Sequence, residues 1–113
     1  KTFFYIDEIN SLAKEYDSEF IVILMPPRFQ VRDDEWEVTT SKYNVGDENF
    51  IRDLPNIVYI EKFNKQNIHY VDLLGPLMNA SDGTYYFDYD GHWTSKGHKL
   101  TSEIILEEIK NGK

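Results

Sequence analysis

Phe20-Ile21-Val22-Ile23-Leu24-Met25 is a continuous apolar run, mostly β-branched, and Pro26-Pro27 ends it at once. A strand with one wet face alternates apolar and polar residues. A run without alternation belongs to a strand covered on both faces, as in a parallel sheet flanked by helices. The two prolines stop it because neither can donate a ladder hydrogen bond. Ile68-His69-Tyr70-Val71-Asp72-Leu73-Leu74, largely apolar, is the second strand segment, closed by Gly75-Pro76. Its strand is read as Ile68–Leu73, a parallel neighbour of Phe20–Met25.

Helical periodicity surrounds these runs. Phe3, Phe4, Ile6, Ile9, Leu12, Ala13 and Tyr16 recur near a 3.6-residue spacing, which predicts one apolar face over 2–16. Phe50, Leu54, Ile57, Val58 and Phe63 predict a second helix over 50–65, with Pro55 a candidate start. Leu100, Ile104, Ile105 and Ile109 predict a last helix over 95–110, with Thr94 as N-cap. Residues 28–48, including Asp33-Asp34-Glu35, read as a long solvated loop with one helical turn at most. A turn-rich stretch is expected from Gly75 to Gly83. The order helix, strand, helix, strand, loop, helix belongs to a doubly wound α/β sheet with right-handed crossovers. The expected fold is flavodoxin-like: a three-layer α/β/α domain with a parallel sheet, residues 1–113 forming one domain. Two strands make a poor sheet. The chain is therefore expected to be the C-terminal portion of a larger domain, completed by an N-terminal part of the same protein or by a partner chain. Lys1 in place of Met, with a helix starting at once, fits a cut inside a longer protein.

Charge narrows the function classes. The 113 residues carry a formal net charge of -8, which disfavours nucleic acid and anionic lipid as partners. A neutral ester or glycan is compatible with it. No cysteine is present, so disulfides and thiolate chemistry are excluded. No apolar run approaches a membrane span. The compartment is left open, an extracytoplasmic one included.

The chemistry concentrates in Tyr85-Tyr86-Phe87-Asp88-Tyr89-Asp90-Gly91-His92-Trp93-Thr94-Ser95-Lys96-Gly97-His98, between the second strand and the last helix. Open α/β sheets bind ligands beyond their strand carboxyl ends. Asp90-Gly91-His92-Trp93, followed by Thr94, Gly97 and His98 at a helix start, resembles the last motif block of the SGNH/GDSL hydrolases. The Asp-x-His-Trp spacing is similar to that of the branch containing the alginate O-acetylation proteins. Other members use Asp-x-x-His, which is absent here because position 89 is Tyr. The likeness is sharp over about a dozen residues. The family's Gly-Asp-Ser nucleophile block and its oxyanion-hole Gly and Asn blocks are missing. The resemblance implies a serine esterase or O-acyl transferase acting on a small-molecule or glycan ester, without cofactor or metal. It implies His92 as general base, Asp90 as orienting carboxylate and a serine outside this chain.

Physical chemistry runs parallel to that resemblance. A serine hydroxyl is a weak nucleophile until an imidazole takes its proton, and the imidazole needs a carboxylate to hold its tautomer. An aspartate two residues away on a turn can reach Nδ1 while Nε2 faces outward, and Gly91 is expected to ease the turn. Trp93 can wall the site or stack on a sugar ring. Arg28 and Gln30 follow the first strand at the same sheet edge, with Arg28 the candidate substrate contact. Asp88 is the second-ranked carboxylate. His98 and His69 read as structural, and Ser81 and Ser95 sit on no nucleophile elbow. Asp88, Asp90, His92 and His98 match no strong metal spacing. The rival readings are a non-catalytic interaction or carbohydrate-binding module and an acidic metal-binding module.

Overall fold

The computed structural model describes residues 1–43, 50–80 and 84–111. Helix α1 (Thr2–Glu15) leads to strand β1 (Ile21–Leu24), two short helices α2 (Arg28–Val31) and α3 (Asp33–Lys42), and helix α4 (Leu54–Gln66). Strand β2 (His69–Asp72), helix α5 (Leu74–Asn79) and the long helix α6 (Ser95–Asn111) complete the order. The protein is a mixed helix–strand structure around a two-stranded parallel sheet. Ile21 pairs with His69, Val22 with Tyr70, Ile23 with Val71 and Leu24 with Asp72. Both expected strands exist and run parallel, each shorter than the segment that announces it.

Alternation along β2 sends successive side chains to opposite faces. Tyr70 meets Phe63 of α4, ring centroids 5.8 Å apart, and Phe3 of α1 stacks on Phe63 and Tyr59 behind it. Val71 joins Leu73, Leu77 and Tyr86 in the buried core, with Ile21 and the α6 residues Leu100, Ile104 and Ile105 packed against them. Helices thus cover both sides of the ribbon. Among the described residues, no helix is long and apolar enough to cross a membrane.

Three expectations are corrected. The stretch 28–48 is largely helical up to Lys42 rather than a loop, and its residues 44–48 lie outside the described residues. Pro27, in extended conformation, is the N-cap of α2. Asp33, Asp34 and Glu35 fill the first turn of α3, where the helix dipole favours negative charge. The stretch after Gly75 contains α5 rather than turns alone. Pro76 is tolerated in its first turn, which lacks an internal acceptor for those N–H groups, and Asp72 Oδ1 accepts from Leu74 N at 3.1 Å.

The third correction concerns which helix faces are buried. In α4, Asn56 and Phe63 are buried, while Leu54, Ile57 and Val58 are exposed. In α1, Ile9 and Leu12 are exposed, as is its C-cap Tyr16, and Asn10 is the buried residue. Polar pairing decides the α4 case. Asn56 Nδ2 donates to Asp72 Oδ1 at 2.7 Å, and Gln30 Nε2 donates to Asn56 Oδ1 at 2.8 Å. That buried chain of hydrogen bonds pins α2 and α4 to the carboxyl end of β2, since an unmade buried hydrogen bond is costly.

Tyr86 is also buried and donates through its hydroxyl to the Pro26 carbonyl at 2.8 Å. Burial pushes its pKa above the ordinary tyrosine value. The folded state therefore holds that proton more tightly than the unfolded chain does. This stability contribution is complete below about pH 10 and is lost as pH rises through the raised value. Tyr86→Phe should flatten the alkaline loss, at a cost of about 1 kcal/mol from the missing hydrogen bond. Urea denaturation at pH 8 and above pH 10 measures both effects.

Candidate functional site

The segment Tyr85–Thr94 folds back on itself. Tyr86 and Trp93 form an isolated antiparallel bridge. Phe87 N donates to the His92 carbonyl at 3.0 Å, and Thr94 N donates to the Tyr85 carbonyl at 2.9 Å. Thr94 then caps α6 as expected, its Oγ1 accepting from Gly97 N at 3.3 Å. Asp90 and His92 sit at the tip of this reversal.

The Asp90 carboxylate has two contacts to His92. Its Oδ1 accepts from the His92 backbone N at 2.8 Å, the local aspartate-to-backbone bond that favours turns. The same oxygen lies 3.2 Å from Nδ1 of the His92 ring. The imidazole side chain is 87% exposed. Gly91 does not ease the turn in the expected way. Its φ lies outside the left-handed region, and an added Cβ would meet nothing within 4 Å.

Asp88 is oriented elsewhere. Its carboxylate is 92% exposed and lies 3.3 Å from Arg32 Nη1. Arg32 also pairs with Asp34 at 3.0 Å. Their hydrogen bond holds the Asp34 carboxyl below, and the Arg32 guanidinium above, their ordinary values.

Arg28 is occupied by the protein itself. Its Nε donates to Glu35 at 2.9 Å, and its Nη1 donates to the carbonyls of Phe87 and Asp90, the latter at 3.2 Å. The guanidinium thereby clamps the Asp90 turn to α2 and α3. Gln30 is buried in the network with Asn56, and its Nε2 also reaches the Arg52 carbonyl. Trp93 is half-buried, packed against the core cluster, and edge-on to His98 with centroids 5.5 Å apart. His69 lies 3.3 Å from Glu108. Ser95 opens α6 on its exposed side, and Ser81 lies outside the described residues. Among the described residues, no three His, Cys, Asp or Glu side chains gather as a metal site would need.

Glu35 and the carbonyls of Phe87 and Asp90 are parts of the site that sequence reading missed. The available signal was the acidic triplet 33–35, which marks a helix start as well as a solvated loop. Arg28→Met should free both carbonyls and leave Glu35 without its 2.7 Å partner. The expected cost is about 1–2 kcal/mol. Thermal unfolding measures it, and faster hydrogen exchange at the Phe87 and His92 amides would locate it in the turn.

Compared with protein-family models, curated proteins and solved structures, the chain matches none of them.

Proposed function

We propose that this chain supplies the acid–base half of a serine esterase or O-acyl transferase of the SGNH/GDSL type. The observation carrying this reading is the Asp90–His92 contact of 3.2 Å beneath an exposed imidazole. In this reading Nδ1 carries the proton toward Asp90, and Nε2 is the basic nitrogen. A serine presented to Nε2 loses its proton to His92 as its oxygen attacks the ester carbonyl. His92 then returns the proton to the departing alkoxide, and water or an acceptor alcohol resolves the acyl-enzyme. The pairing of Asp88 with Arg32 favours Asp90 as the orienting carboxylate.

The serine and oxyanion hole come from outside these residues, in an N-terminal part of the protein or a partner chain. The exposed apolar side chains of α1 and α4 and a sheet of two strands support such a completion, because parallel sheets are normally covered and larger. Completed in this way, the architecture is a flavodoxin-like three-layer α/β/α domain.

A second reading has one observation in its favour. Phe87 and Tyr89 present exposed rings 5.3 Å apart beside His92, which suits a carbohydrate-binding loop. Hydrolysis of a small aryl ester by the full-length protein separates the two. Asp90→Asn should lower turnover on the order of 10³–10⁴-fold, because the imidazole survives with its tautomer unsupported. Asp88→Asn should change it less than about threefold. Equal effects, or a larger one at Asp88, would move the carboxylate, and no turnover in the wild type favours the glycan-binding loop.

A further inference from the structure

A cavity of about 490 Å³ opens beyond the carboxyl end of β1, between α2, α3 and α4. Its walls include Leu24, Phe29, Trp36, Phe50 and Tyr59, with Arg52 the cationic side chain among them. The size and the mix of aromatic walls with a few polar side chains, Gln30, Arg52 and Asn56, are those of small-molecule sites. Phe29 and Trp36 lie nearly parallel with centroids 6.5 Å apart, and Trp36 meets Phe50 at 5.3 Å. His92 is not part of the lining. Arg28 of the same short helix reaches toward the Asp90 turn while Phe29 and Gln30 line the cavity.

Arg52 is only partly satisfied. Its Nε donates to the Gln30 carbonyl at 2.6 Å, Nη1 pairs with Asp33, and the guanidinium lies 5.6 Å from the centre of the Trp36 ring. Nη2 is buried and, among the described residues, has no hydrogen-bond partner. A buried charged donor left unpaired is costly and calls for an explanation. Asp33 is largely exposed, so solvent screens its charge and leaves the guanidinium attractive to a further anion. We propose that the cavity binds a medium-chain aliphatic carboxylate, its chain against the aromatic walls and its head group at the Arg52 guanidinium. This proposal does not rest on the hydrolase reading.

The test is a titration of the ¹⁵N-labelled full-length protein with octanoate, followed at the indole N–H signals. The protein's tryptophans are Trp36 and Trp93, so the second serves as an internal control if no other part of the protein adds one. The Trp36 signal, assigned through Trp36→Phe, should shift saturably while Trp93 stays still. 1-Octanol, which lacks the charge, should bind at least tenfold more weakly. Arg52→Gln should weaken octanoate at least tenfold and bring its affinity close to that of octanol. Ile51→Asp, at the half-exposed rim, should weaken both ligands without disturbing the buried network. An unresponsive Trp36 signal would overturn the proposal, including the case in which another copy or another part of the protein fills the cavity. Equal affinity for octanol and octanoate, or an Arg52→Gln variant that binds octanoate as the wild type does, would overturn it as well.

Discussion

His92→Ala in the full-length protein should reduce hydrolysis of a small aryl ester on the order of 10⁴-fold, with the fold unchanged. The first half of that expectation comes from the chemistry: without an imidazole no group takes the serine proton. The second half comes from the structure. Both hydrogen bonds that hold residue 92 in the turn use its backbone, the N–H to Asp90 and the carbonyl from Phe87. Alanine keeps them. The lost side chain is exposed, so the stability change should stay within about 0.5 kcal/mol. Steady-state rates together with a melting curve provide the check. Undiminished turnover in a folded His92→Ala protein would end the assignment of this site as the general base.

The second large effect is expected at Gly97. It is buried in the first turns of α6, and an added Cβ would collide with the Tyr85 carbonyl oxygen and lie 2.9 Å from Trp93 Cβ. Neither neighbour is the end of a flexible chain. The Tyr85 carbonyl is backbone and already accepts from Thr94 N. Relieving the overlap moves either that strand-like reversal or Trp93, the residue next to His92. Overpacking of this kind costs roughly 3 kcal/mol, and the better helix propensity of alanine returns about 1. Gly97→Ala should thus destabilise by about 2 kcal/mol, lowering the melting temperature by roughly 10 °C. Gly91→Ala is the matched control, because a Cβ there meets nothing within 4 Å. A Gly97→Ala protein as stable as the wild type would show that the reversal yields more easily than its contacts imply.

Local rules explain what could be read in advance. An unbroken apolar run stopped by Pro-Pro and a largely apolar segment stopped by Gly-Pro marked the two strands, although β1 is only partly covered, with Ile23 exposed. The long helices followed from periodicity, and Thr94 from the need to satisfy the first N–H groups of α6. The helices α2, α3 and α5 were hidden because they are short and polar or carry Gly-Pro. Their stability comes from neighbours more than from propensity. Arg28 illustrates the same limit at the site. Its position after β1 placed it at the right sheet edge, yet its partners Phe87 and Asp90 lie 59 and 62 positions away in the chain.

The sequence by itself determined the two parallel strands, the three long helices and the adjacency of Asp90 and His92. Each depends on patterns or turns spanning a few residues. The tertiary structure alone decided which face of α4 is buried, because the Gln30–Asn56–Asp72 chain of hydrogen bonds overrides its apolar spacing. It also drew Asp88 to Arg32 and left Asp90 to His92. Motif spacing had already ranked Asp90 first; the engagement of Asp88 depends on where a distant guanidinium lies, and long-range packing sets that.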